Sequence, residues 1–205
     1  MAEIPTRTIS QFKSKLTGGG ARPNLFEVQV NFPAGVNLGI QGDGGPSEFD
    51  ADNFRFMCKA ANLPASNVAS IDVPFRGRIL KVAGDRTFET WTVTVINDEN
   101  FGHRRNFEAW AQNIAQYGDG SGLTNPSDYM GQATVFQLGR TAAGAQSVGS
   151  AADPASILAQ YRFVDIFPIA VSSIDLSYEN TDVLEEFTVE FQVQYYYPEA
   201  AGSGA

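Results

Sequence analysis

Glu186-Phe187-Thr188-Val189-Glu190-Phe191-Gln192-Val193-Gln194-Tyr195 alternates polar and apolar side chains without a break. A period of two marks a β-strand with one dry face and one wet face. Phe187, Val189, Phe191, Val193 and Tyr195 are therefore expected on a core, and Glu186, Thr188, Glu190, Gln192 and Gln194 in water. Working back along the chain, Trp91, Val93 and Val95 alternate with Thr92, Thr94 and Ile96 in a predicted strand over 87–97. Phe26, Val28, Val30 and Phe32 do the same with Glu27, Gln29 and Asn31.

Weaker patterns extend the series. Phe54, Phe56 and Cys58 predict another strand, with Arg55, Met57 and Lys59 on its other face. Residues 68–82 read as one long extended segment, in which Arg76, Arg78 and Lys81 stand among Ile71, Val73, Phe75, Ile79 and Val82. Shorter strands are expected at 134–138, 157–167 and 174–178. The one predicted helix covers roughly 99–117, where Phe107, Trp110, Ala111 and Ile114 make an apolar stripe at i, i+3, i+4 and i+7. Asp98 and Glu99 suit its positive end, and Gly118 and Gly120 are expected to stop it.

The fold class expected is thus mainly β, a β-sandwich or barrel with one flanking α-helix. A chain of 205 residues suits one domain, and 15 Phe with 20 Gly fit pleated, turn-rich structure. The expected organisation is a flexible N-terminal arm over 1–20, with a short helical turn near 9–16, and a single domain over 21–198. That domain carries loop insertions at about 33–53 and 141–156, and a disordered tail follows at 199–205. Long strands with a wholly polar face need their edges protected, either by barrel closure or by pairing with neighbouring copies.

Charge narrows the function. Residues 1–110 hold twelve basic and twelve acidic side chains, whereas 111–205 hold two basic (Arg140, Arg162) and eleven acidic, so the net charge of −9 lies in the C-terminal half. Such a surface repels phosphate and argues against a nucleic-acid-binding module. A lone cysteine, Cys58, excludes an internal disulfide and points to folding in a reducing cytoplasm. No apolar run reaches bilayer length and no signal peptide is visible, so membrane insertion is not expected.

The inventory for catalysis is thin. His103, beside Arg104 and Arg105 in the helix, reads as a solvated surface residue, and with Cys58 it lacks the neighbours a metal site needs. Cys58 reads as a small buried hydrophobe. Gly42-Asp43-Gly44-Gly45 and Gly118-Asp119-Gly120-Ser121-Gly122 lack a phosphate-loop Lys-Ser/Thr and read as turns. Glu185, Glu186 and Glu190 read as a solvated acidic face. No enzyme, metal or cofactor is expected.

Several segments resemble the tail tube proteins of contractile-tailed bacteriophages. They are Ala21-Arg22-Pro23-Asn24-Leu25-Phe26, Cys58-Lys59-Ala60 with Leu63-Pro64-Ala65, and Val82-Ala83-Gly84-Asp85-Arg86-Thr87-Phe88. Trp91-Thr92-Val93-Thr94-Val95 with Asn97-Asp98-Glu99 continues the match into the helix of Phe107 and Trp110, and 163–168 with 187–195 is a weaker echo. The resemblance spans roughly 21–32 and 54–196; the two insertions and the arm are longer than in shorter family members.

The resemblance implies a virion protein whose six copies close into a ring, inner strands joining into one barrel, with rings stacked into a tube. The implied partners are the sheath, baseplate, tail-terminator and tape-measure proteins, with DNA passing through the lumen without specific binding. On that footing Arg76, Arg78, Lys81, Asp85 and Arg86 are candidates for contacts between subunits or rings; Asp85 and Arg86 could pair there or brace a local turn. Glu186, Glu190, Gln192 and Gln194 are candidates for the lumen or for an outer polar face. Two other readings remain at this stage: the inner tube of a phage-derived injection or secretion system, and a carbohydrate-binding β-sandwich using Tyr195, Tyr196 and Tyr197.

Overall fold

A computed structural model describes residues 8–16, 20–37, 51–139, 157–179 and 181–199. In chain order the elements are α1 (Ile9–Lys15), β1 (Phe26–Asn31), α2 (Ala51–Met57), β2 (Cys58–Ala61), β3 (Ser66–Phe75), β4 (Arg78–Phe88) and β5 (Trp91–Ile96). They continue with α3 (Gly102–Ile114), α4 (Pro126–Tyr129), β6 (Gly131–Leu138), β7 (Ile157–Val171) and β8 (Glu186–Glu199).

Six strands form one antiparallel sheet in the order β1-β6-β7-β8-β5-β2, and β3 and β4 form a separate two-stranded ribbon. The large sheet curls into a nearly closed barrel. Its apolar face supplies Val28, Val30, Trp91, Val93, Val95, Ala133, Phe163, Ile166, Phe187, Val189, Phe191 and Val193 to a single core. α3 packs its stripe into that concavity: Phe107 and Trp110 are fully buried, with ring centroids 5.8 and 6.0 Å from Phe191. Trp91 stacks on Phe163 at 4.6 Å. The mainly-β barrel with a flanking helix is what the alternating strands predicted.

Several local expectations are corrected. Residues 51–57 are helical, and only at Cys58 does the chain enter a strand. Phe54 is fully buried against His103 and Phe107, whereas Phe56 points into solvent, so their apparent alternation came from a helix showing opposite sides. α2 packs against β1 and the start of β2, the two edge strands, and so fills the seam of the barrel. His103 is buried at 3% exposure, not a surface residue, because it lies on the same side of α3 as Phe107.

α3 ends at Ile114, before either predicted stop glycine. The glycine the turn requires is Gly122, where a Cβ would lie 2.1 Å from the Ile114 carbonyl oxygen. Asp98 does stand at the positive end of the helix, its carboxylate accepting a bond from the Gly102 N–H at 2.9 Å, while Phe101 occupies the N-cap position. The extended segment over 68–82 is two strands, folded back at Arg76-Gly77. The strand expected over 87–97 is broken at Glu89-Thr90, and residues 174–178 are a loop, since β7 ends at Val171.

Tyr195 is exposed and Tyr196 takes the core side. Asp165 adopts a left-handed φ of 54°, and around it Phe163↔Tyr196 and Ile166↔Val193 are both inward pairs three residues apart. Odd spacing between inward residues means the strands turn over there, which a strict period of two cannot anticipate. β8 also runs to Glu199, one residue past the expected domain limit. The insertion over 141–156, most of that over 33–53 and residues 200–205 lie outside the described residues.

Candidate assembly surfaces

The β3–β4 ribbon is built by a two-residue turn. Arg76 and Gly77 have φ of 47° and 81°, the positive values that match a turn to the right-handed twist of its strands. Arg76 holds this conformation without being Gly or Asn and lies over the Phe75 ring at 5.4 Å.

The root of the ribbon is clamped to the barrel. Trp91 Nε1 donates to the Asn62 carbonyl at 2.9 Å, and the Thr92 N–H donates to Asn62 Oδ1 at 2.8 Å. The Tyr196 hydroxyl donates to the Pro64 carbonyl at 2.7 Å, and its ring meets Phe88 edge-on at 5.3 Å. Beyond the root every residue of β3, and nearly every residue of β4, is exposed on both sides.

Register sorts this ribbon into two faces. Directly opposed residues share a face, so the pairs Ile71↔Val82, Val73↔Leu80 and Phe75↔Arg78 put five apolar side chains and one Arg together. Phe75 is 66% and Leu80 62% exposed, so among the described residues nothing covers this stripe. The other face carries Asp72 and Lys81, paired at 3.1 Å, with Pro74 and Ile79. That pair is solvent-exposed and contributes little to stability. Gly84 and Asp85 form a bulge opposite Ala69, and among the described residues Asp85 and Arg86 make no ion pair with each other. The five sequence candidates thus sit on one projecting element: Arg76 and Arg78 at its tip, Lys81 midway, Asp85 and Arg86 toward its root.

The other four candidates share the outward face of β8. Glu190 and Gln194 are exposed, Gln192 and Glu186 half-buried. Glu186 accepts a 2.5 Å ion pair from Lys59 across the sheet. Thr94 and Thr188 are 3.4 Å apart on the same face, and Arg162 donates to Gln132 at 2.8 Å, so the surface is polar and knit by hydrogen bonds. Near its margin, burial pushes the Glu27 carboxyl above the usual range, partly offset by the Arg55 guanidinium. Burial also pushes the Cys58 thiol up to about 12, which keeps it neutral. Among the described residues no group of His, Cys, Asp and Glu could hold a metal, and no helix is long and apolar enough to cross a membrane.

Sequence reading missed the loop joining β7 to β8. Residues 174–178 and 183–186 enclose an open groove of about 520 Å³. Leu176, Tyr178, Val183 and Leu184 are strongly exposed along it. The signal was present: apolar residues interspersed with Asp175, Glu179, Asp182 and Glu185 in a stretch with no basic residue.

The fold is one shared with chains of contractile injection machines. It superposes on a chain of the sheath–tube complex of an extracellular contractile injection system (PVC, extended state) with a TM-score of 0.55 at 11% identity, covering 95% of this chain and 99% of the other. A chain of the anti-feeding prophage tube-terminating cap gives 0.54 at 10% identity, covering 98% and 97%. By sequence the chain belongs to the phage tail tube protein family, whose profile matches residues 21–199. Tail tube protein gp19 of Enterobacteria phage T4 is 34% identical over 182 residues, 88% of this chain and 93% of the relative. The tail tube protein of Serratia phage KSP90 is 30% identical over 127 residues, 60% and 65% of the two chains. The chain is thus a tail tube protein of a contractile phage tail, a component of the virion.

Proposed function

We propose that this chain acts without catalysis, as the repeating unit of a hollow tube made of stacked six-membered rings, through which DNA leaves the particle. The observation that carries this reading is the β3–β4 ribbon. A two-stranded ribbon is marginal in water on its own, and an uncovered apolar stripe of this kind marks an interaction site. Arg76, Arg78, Lys81, Asp85 and Arg86 are the contacts it offers to neighbouring subunits or rings. The assembling unit is one domain over about 21–198, with the 1–20 arm and the 33–53 and 141–156 insertions outside its barrel.

Sheet edges support ring closure. β1 and the four-residue β2 are the edge strands of the sheet, bridged at the seam by α2 and not hydrogen-bonded to each other, and pairing between copies would satisfy the edge that α2 leaves. In this reading the outward face of β8, with Glu186, Glu190, Gln192 and Gln194, lines the lumen. On that face Lys59 is paired with Glu186 and Arg162 is held against Gln132, which leaves little positive charge to hold passing phosphates. The sheath, baseplate, terminator and tape-measure proteins are the partners in this scheme. The phage tail tube relatives favour DNA as cargo over protein delivery.

Introducing Glu190→Lys and Gln194→Lys tests the lumen assignment, since both residues are exposed and clear of the Lys59–Glu186 pair. Virions with both changes should assemble normally and release DNA severalfold more slowly, more so at low salt. An unchanged release rate at all salt concentrations places this face elsewhere.

A further inference from the structure

The ribbon and the β7–β8 groove lie at opposite poles of the barrel. β5 pairs antiparallel with β8, Trp91 opposite Phe191 and Ile96 opposite Glu186. The ribbon enters at the Trp91 end, since β4 finishes at Phe88. The groove lies at the Ile96 end, immediately before Glu186, where the Asn97 N–H donates to the Glu185 carbonyl at 2.8 Å. About 17 Å of strand separates the two poles, and the ribbon itself is about 30 Å long, both from the rise of extended chain.

The two surfaces are complementary. Residues 66–88 carry four basic side chains against two acidic, a net of +2; residues 172–186 carry five acidic and no basic ones, of which Glu186 is offset by Lys59. Each also presents apolar side chains without cover, Phe75, Ile79 and Leu80 on the ribbon and Leu176, Val183 and Leu184 at the groove. Arg76 and Arg78 at the tip form no ion pair among the described residues, and neither does Asp175 in the groove wall.

We infer that the groove formed by residues 174–178 and 183–186 is the receptor for the ribbon tip of another copy of this chain. The apolar side chains of the tip enter the groove while Arg76 and Arg78 meet its acidic rim. Donor and receptor at opposite poles of one molecule make the contact heterologous, so each docked copy presents a fresh receptor and the stack has no built-in end. This inference rests on the tube reading above and names the surface that receives the ribbon.

Charge exchange tests it on the full-length protein. Arg76→Glu with Arg78→Glu, and separately Asp175→Lys with Asp182→Lys, should each raise the concentration needed for tube growth at least tenfold, because each sets like charges against one another. All four positions are exposed, and an unchanged thermal melt checks that each variant folds. Combining both pairs in one chain should restore growth to within a few-fold of wild type. Arg78→Cys with Ser177→Cys should in addition yield a ladder of covalent multimers on oxidation in assembled tubes. If wild-type protein forms tubes but the groove variant grows equally well, or the assembled cysteine variant gives no ladder, the docking is overturned and the tube reading stands. Wild-type protein that never assembles overturns both.

Discussion

Gly131 shows how tightly single residues constrain this barrel. A Cβ there would lie 2.7 Å from the Asn31 carbonyl oxygen and 2.8 Å from the Trp110 ring, both held by the core. Trp110 cannot retreat easily, since its Nε1 donates to the Tyr129 carbonyl at 2.7 Å. Gly131→Ala should therefore cost about 1–3 kcal/mol, the usual penalty for overpacking, read as a lower denaturation midpoint. Glu27 gives a pH-dependent counterpart. Its folded-state pKa is raised, so the fold prefers the neutral acid, and stability declines as pH rises from the unfolded value toward the folded one. Glu27→Gln should thus melt higher than wild type at pH 7, with the gain vanishing near pH 3; a gain independent of pH would contradict the assignment to burial. At this scale the core was legible wherever strict alternation held: Trp91, Val93, Val95, Phe187, Val189, Phe191 and Val193 are all inside. His103 was misjudged because flanking arginines say nothing about which side of a helix a residue occupies. Tyr195 was misjudged because the turnover at Asp165 depends on backbone geometry in the neighbouring strand.

Among the elements, the ribbon is distinguished by how little it touches. Apart from its root at Phe88, Asn62 and Tyr196, it is exposed to solvent on both faces. Replacing residues 67–87 by a two-residue Asn-Gly turn should therefore leave the melting temperature of the barrel nearly unchanged while abolishing tube growth. A large loss of stability would mean that the ribbon serves the monomer. The sequence displayed the ribbon's apolar and basic residues but not its fold-back at Arg76-Gly77, because Arg is an uncommon occupant of a positive-φ turn position. α2 escaped notice for a related reason: seven residues give too few turns for a helical period to outweigh a chance alternation. Conversely, Ile174 to Tyr178 had strand-like composition and became a groove wall, since β7 and β8 pair only as far as Val171 and Val189.

Taken whole, the molecule has a self-sufficient core and an unfinished surface. The barrel buries its rings around α3, yet apolar side chains stand uncovered at both poles, and on α1 Ile9 and Phe12 are likewise exposed. A polar sheet face, edge strands not paired with each other and complementary poles are what a protein needs if its neighbours are further copies of itself. The acidic excess of the C-terminal half gains a location from the fold, part of it in the groove rim rather than along a lumen. The most direct measurement is electron microscopy of the purified full-length protein at high concentration, alone and with baseplates added as seeds. The account predicts hollow tubes of stacked six-fold rings, at least on the seeds, whereas globular monomers in both samples would contradict it.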